Sequence, residues 1–151
     1  MKIYTSYFGN LKNIPLVLTP ISIAGKKPDW FEGKEYKSLA PKYWFFQQYK
    51  SGEISDQIYT FYYQQEVLKK LNPVIVREHL ASLSKNSDIV LLCYEKPLEF
   101  CHRHLAARWL GEDVDEFCIQ FGKFNEENAH CISCNRKDSQ VYYECKRRKN
   151  R

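Results

Sequence analysis

The clearest hydrophobic pattern in the chain is residues 88–94, Asp-Ile-Val-Leu-Leu-Cys-Tyr, an unbroken apolar run after one acidic residue. A strand covered on both faces reads this way, and such strands belong to parallel sheets under helices. Residues 3–8 (Ile-Tyr-Thr-Ser-Tyr-Phe) alternate β-branched and aromatic types up to Gly9-Asn10, which predicts a first strand ending in a turn. Residues 16–23 predict a second strand, with Pro20 marking an irregular or edge position. The short segment 9–15 leaves the relation of these two strands open, because parallel neighbours need a longer crossover. Residues 24–40, rich in Gly, Pro and Lys around Trp30 and Phe31, read as a long ordered loop. Pro41 suits the first position of a helix over 41–50, closed by Ser51-Gly52. Ser55 can cap a second helix to about Leu71, and Asn72-Pro73 opens a third to about Leu83. Pro97 opens a fourth that stops at Gly111, and residues 117–121 predict a further short strand. Strands separated by helices imply an α/β layered domain, a mostly parallel sheet flanked by helices over residues 1–128. Residues 129–151 read as a cysteine-containing appendage with a strand candidate at 141–145, and no internal repeat is present.

Composition narrows the class. With 151 residues, 44% hydrophobic and 15% aromatic, the chain has one domain's length and too much apolar content for a disordered protein. No apolar run approaches the ~20 residues of a membrane span, and the first residues lack the apolar core of a secretion signal. The net charge of +5 is carried by residues 136–151, which hold seven basic and two acidic groups, so the rest is balanced. A nucleic-acid footprint over the whole body is therefore unsupported, whereas a phosphate-touching tail fits. The six cysteines all follow residue 92, unlike a framework of disulfides stapling a secreted chain. Reduced thiols in a cytoplasmic protein are expected.

The chemistry concentrates where the apolar run ends. Side chains alternate along a strand, so Cys93 and Glu95 point one way and Tyr94 the other. Ligands of open α/β sheets bind beyond the carboxyl ends of the strands. The turn Lys96-Pro97 leads into the fourth helix, where Leu98, Cys101, His102, Leu105 and Trp109 share one face toward the sheet at spacings of three and four. Cys101 and His102 lie about one turn in, where the helix dipole favours a thiolate or an anion. Arg103 falls off that face, toward the helix mouth or solvent. Glu95, Cys93, Cys101, His102 and Arg103 thus converge on one pocket. Glu95 suits a general base or a ribose-hydroxyl contact, Cys93 or Cys101 a nucleophile or ligand, His102 an acid–base and Arg103 an anion site. Either thiol taken alone also suits a core position, and Glu95 alone could serve the helix end.

Two further patterns bear on function. His130-Cys131-Ile132-Ser133-Cys134 holds a Cys-x2-Cys half-site, with Cys145 beyond. Cys131, Cys134 and Cys145 with His130 as the fourth ligand make a zinc site; Cys118 is an alternative fourth, and a redox pair or unligated thiols are the competing readings. Residues 43–63 carry nine aromatic residues, which pack on the sheet or form a stacking wall for a planar base. Tyr59, Tyr62 and Tyr63 are the stacking candidates, with Tyr62 chosen for the ligand set.

Cys93-Tyr94-Glu95-Lys96-Pro97 followed by Phe100-Cys101-His102-Arg103 resembles the signature of the family called domain of unknown function 488, or DUF488. Ile3 to Gly9 resembles that family's first strand and glycine turn, and Pro28-Asp29-Trp30-Phe31 and Leu39-Ala40-Pro41 resemble its loop motifs. The resemblance spans roughly residues 1–122 and implies a compact, Rossmann-like α/β domain of bacteria and phages, with Ser6 and Gly9 near the ligand. Many relatives have an arginine where this chain has Ala24-Gly25-Lys26-Lys27. If that arginine holds an anion, Lys26 or Lys27 substitutes without bidentate geometry. The expected function is an enzyme directed at a nucleotide, nucleoside or nucleic-acid base. The alternatives are a non-catalytic nucleotide-binding module, for instance one sequestering a signal in phage–host conflict, and a zinc-stabilised adaptor acting through the basic tail.

Overall fold

A computed structural model describes residues 1–96, 99–111 and 114–116 of the chain. The strands are β1 (Ile3–Tyr7), β2 (Thr19–Ser22), β3 (Lys34–Glu35), β4 (Ile89–Cys93) and β5 (Val114–Glu116). The α-helices are α1 (Tyr43–Lys50), α2 (Asp56–Glu66), α3 (Pro73–Leu83) and α4 (His102–Leu110). All strand pairs are parallel, in the order β3-β2-β4-β1-β5. The α/β, Rossmann-like expectation holds.

The apolar run is the central strand. Every residue of β4 is buried, and it pairs with β1 on one side and β2 on the other. The first two strands are thus not neighbours; three helices later, β4 inserts between them. Pro20 is tolerated because of where its nitrogen faces. The Thr19 and Ile23 amides both donate toward β4, to Asp88 O at 2.9 Å and Leu92 O at 3.0 Å. Alternation turns the Pro20 nitrogen to the opposite side, where β3 reaches only Ile21 and Ser22.

The helices press one core onto the sheet. Phe45, Tyr59, Tyr63, Val76, Leu80, Ala106 and Leu110 meet Ile3, Ile21, Ile89 and Leu91. Each such side chain contributes roughly 1.5–3 kcal/mol by leaving water. On the other face Tyr4, Val90 and Leu92 are covered by Phe8, Ile14, Leu18 and Phe31. Among the described residues no helix is long and apolar enough to cross a membrane.

Local signals mostly read true. Ser55 accepts the Ile58 amide at 3.2 Å and Asn72 accepts the Val74 amide at 2.9 Å. Several boundaries differ, the second strand among them, which is confined to Thr19–Ser22. Gly9 lies inside a 3-10 turn, Phe8–Asn13, where Asn10 donates to Ser6 Oγ at 3.1 Å and Asn13 to Asn10 Oδ1 at 2.8 Å. Those amide contacts favour a wound segment over a tight turn. Residues 24–40 are not all loop, since they contain β3 and a 3-10 turn, Lys37–Leu39. Pro41 precedes the cap Lys42 rather than opening α1. The second helix ends as α at Glu66 and continues as the 3-10 turn Leu68–Lys70. The expected strands at 117–121 and 141–145, the boundary at 128 and the whole appendage 129–151 lie outside the described residues.

Candidate active site

Cys93 is the last residue of β4, and α4 begins at His102, with Cys101 in extended conformation as its cap. The helix therefore starts later than the proline suggests. The Glu99 amide closes a turn onto Lys96 O at 3.0 Å, and the Glu99 carboxylate accepts the Lys96 amide at 3.3 Å. This turn holds the chain back, so Cys101 stands at the mouth of the helix rather than one turn inside it. Free helical N–H groups and the positive end of the dipole lie there.

The reactive side chains converge. Cys93 Sγ is 3.5 Å from Glu95 Oε2 and 3.8 Å from His102 Nδ1, and Cys101 Sγ is 4.0 Å from the same nitrogen. His102 Nε2 donates to Ile23 O at 2.7 Å, since a carbonyl can only accept. Both cysteines are free thiols and buried. Cys93, Cys101 and His102 together are a set able to hold a metal ion, their three ligand atoms within 4.8 Å of one another. Glu95 carries an ion pair with Lys50 at 3.0 Å, across from the end of α1.

The three titrating groups influence one another. Burial alone would raise the Cys101 thiol, but the hydrogen bond from Cys93 and the charges of Arg103 and His102 bring it well below the ordinary value. The Cys93 thiol moves the opposite way, pushed well up by its hydrogen bond to Cys101 and then by burial. Burial likewise favours a neutral His102, yet the charge and hydrogen bond of Cys101 and the Ile23 carbonyl outweigh it and raise the ring. The hydrogen bond that the two thiols share thus drives them in opposite directions, and the His102 ring is raised by Cys101.

This cluster opens onto a crevice of about 550 Å³ at the carboxyl ends of β2 and β4. Cys93, Glu95 and His102 line it, and Cys101 does not. Four of the five residues expected to converge do so with their reactive atoms. Arg103 neither goes to solvent nor lines the crevice. It is fully buried, and its guanidinium donates to the Glu95 carbonyl, which fixes the backbone carrying the carboxylate. Its charge bears on the Cys101 thiol, which it helps to bring down.

The expected ligand set is only partly assembled. Lys26 lines the crevice, whereas Lys27 turns away to donate to Phe31 O at 2.6 Å. Ser6 is buried on β1, held by Asn10, and neither it nor the exposed Gly9 lines the crevice. Tyr62 packs on Trp44, ring centroids 4.9 Å apart, away from the crevice. Tyr59 and Tyr63 belong to the core, and Tyr63 donates to Leu39 O at 2.6 Å. The aromatic residues that line the crevice are instead Tyr43, Phe46 and Tyr94, and Lys37 lines it together with Lys26. Tyr43 and Phe46 are three apart on α1, on a face distinct from that of buried Phe45, a spacing that the sequence does carry. The expected metal set His130, Cys131, Cys134 and Cys145 lies outside the described residues.

A family model described as the active DUF488-N3 subclade matches residues 18–114. No curated protein and no solved structure matches the chain.

Proposed function

The chain belongs to the DUF488 family, and because the matched stretch holds every residue lining the crevice, we propose that the crevice is the active site of an enzyme acting on a nucleotide, nucleoside or nucleic-acid base. The observation that carries the reading is one crevice lined by two unlike sets of groups. A thiol, a carboxylate and an imidazole line it together with Tyr43, Phe46 and Tyr94, with Lys26 and Lys37 at hand. A planar base gains about 1–3 kcal/mol by stacking on an aromatic ring. Lysine ammonium groups then take a phosphate or another anion as point charges. The base is thereby carried toward Cys93, Glu95 and His102. Glu95 is the general base, its carboxylate held in place by Lys50 at 3.0 Å. His102 presents Nδ1 to the cluster, since Nε2 is engaged by Ile23.

Zinc enters this reading as the cofactor, supported by the soft donors Cys93, Cys101 and His102 at the floor of the crevice. A cluster of mutually perturbed ionisable groups favours chemistry over mere binding. The test is a panel of nucleosides and nucleotides, each scored for a shift in melting temperature and for product by chromatography. Product formation that disappears in Glu95→Gln and in His102→Ala supports the enzyme. A ligand that binds and is recovered unchanged makes the protein a sequestering module instead. Absence of any shift with the whole panel overturns the nucleotide reading.

A further inference from the structure

The floor of the crevice has the dimensions of a coordination shell. Thiolate sulfur binds zinc at about 2.3 Å and imidazole nitrogen at about 2.0–2.1 Å, so a tetrahedral ion sets sulfur–nitrogen edges of about 3.6 Å. The observed separations, 3.8 Å for Cys93 and 4.0 Å for Cys101, need a contraction of only about 0.2–0.4 Å. The ring is also oriented for the purpose. Ile23 O holds the proton on Nε2, so Nδ1 is the atom turned to both sulfurs. Histidine ligands are commonly fixed by such a carbonyl on their other nitrogen. The donors come from the end of a central strand and the start of a helix, both rigid elements.

We infer that Cys93, Cys101 and His102 bind one zinc ion through two sulfurs and Nδ1, with a water in the fourth position on the crevice side. Cys93 and His102 both line the crevice, so an ion held between them would stand at its wall, within reach of a ligand there. Glu95 stands beside the trio, its Oε2 3.5 Å from Cys93 Sγ. An ion held there would supply a water that ionises near about pH 7, and Glu95 would be the carboxylate beside it. The inference rests on the enzyme reading above and supplies its reaction.

Two cysteines, one histidine and a glutamate outside the shell are the groups with which zinc deaminases attack a base carbon bearing an amine. Hydrolytic deamination is accordingly the reaction assigned. The hydroxide oxygen bonds to the ring carbon, and the carbon–nitrogen bond breaks. One water proton leaves on ammonia through Glu95, the other ends on a ring nitrogen, and the oxygen stays as a carbonyl. No oxidant or reductant is consumed.

Cobalt(II) titration of the full chain tests the site without reference to activity. Cys118→Ser, Cys131→Ser, Cys134→Ser and Cys145→Ser first remove the other thiols. One cobalt per chain, with thiolate charge-transfer absorption and strong tetrahedral bands, is expected. Both signals should vanish in Cys93→Ala and in His102→Ala. Retention of the bands in either variant, or no bands from a folded parent, overturns the site. The unaltered chain gives a second measurement: zinc should slow alkylation of Cys93 and Cys101 by about tenfold or more, and equal rates overturn it. Ammonia release from cytidine, adenosine and their monophosphates then tests the reaction. Bound metal with no ammonia from any of them overturns deamination alone. Nucleotide turnover by protein without metal overturns the zinc centre while leaving the enzyme reading intact.

Discussion

Helix α1 serves two aromatic regions with opposite demands. Phe45 is fully buried and meets Tyr59 edge-on, centroids 5.2 Å apart, in a layer continued by Tyr63 and Phe100. Tyr43 and Phe46, flanking it in sequence, face the crevice, and Tyr43 keeps 73% of its surface exposed. One region satisfies each ring with another ring, whereas the other turns its rings to the crevice, with Lys50 Nζ over the Phe46 ring at 5.5 Å from its centre. Identical residue types therefore stabilise the fold in one place and line a crevice in the other, and one or two helical positions decide which.

This contrast can be broken from either side. The largest effect is expected at high pH. Burial raises the Tyr59 and Tyr63 phenols above the usual 10.0, so their contribution is complete below pH 10 and is lost as pH rises beyond it. Each should add about 1.4 kcal/mol of lost stability per pH unit there. Urea unfolding of a Tyr59→Phe, Tyr63→Phe double variant should show a shallower alkaline slope, and an unchanged slope would sink the argument. Next, Phe45→Ala should cost about 3–5 kcal/mol in denaturant titration, because its site is ringed by side chains that cannot collapse fully. Glu95→Gln should leave the fold intact and lower turnover about 100- to 10,000-fold, as for a lost general base. Phe46→Ala should weaken binding of a base by about 1–3 kcal/mol, measured by calorimetry, with stability nearly unmoved. The smallest effect is expected for Tyr63→Phe near neutral pH, about 1 kcal/mol for the hydrogen bond to Leu39 O. A binding loss in Phe45→Ala larger than in Phe46→Ala would reverse the assignment of the two regions.

Much of the fold was legible because local chemistry and global position agree. The run at 89–93 must be central, since no edge position would bury both faces of five consecutive apolar residues. Ser55 and Asn72-Pro73 name their helices through the very hydrogen bonds they make. The reactive set Cys93, Glu95, Cys101 and His102 follows from strand alternation and the adjoining turn. What the pattern hid are decisions taken by tertiary contacts. Arg103 occupies a polar residue's usual surface slot in the helix, yet its guanidinium is drawn inward by the Glu95 carbonyl. Lys26 and Lys27 are indistinguishable by type, and only the Phe31 carbonyl separates them. Tyr62 is a plausible wall on α2 until Trp44 claims its face.

Ile23 joins two structures with its two backbone polar atoms. Its amide donates to Leu92 O at 3.0 Å, while its carbonyl receives the His102 ring at 2.7 Å. Fraying of that last rung would therefore let go of the imidazole, so sheet integrity and ring alignment rise and fall together. Filling the crevice should accordingly slow hydrogen–deuterium exchange at the Ile23 amide, which turns one peptide group into a remote gauge of occupancy.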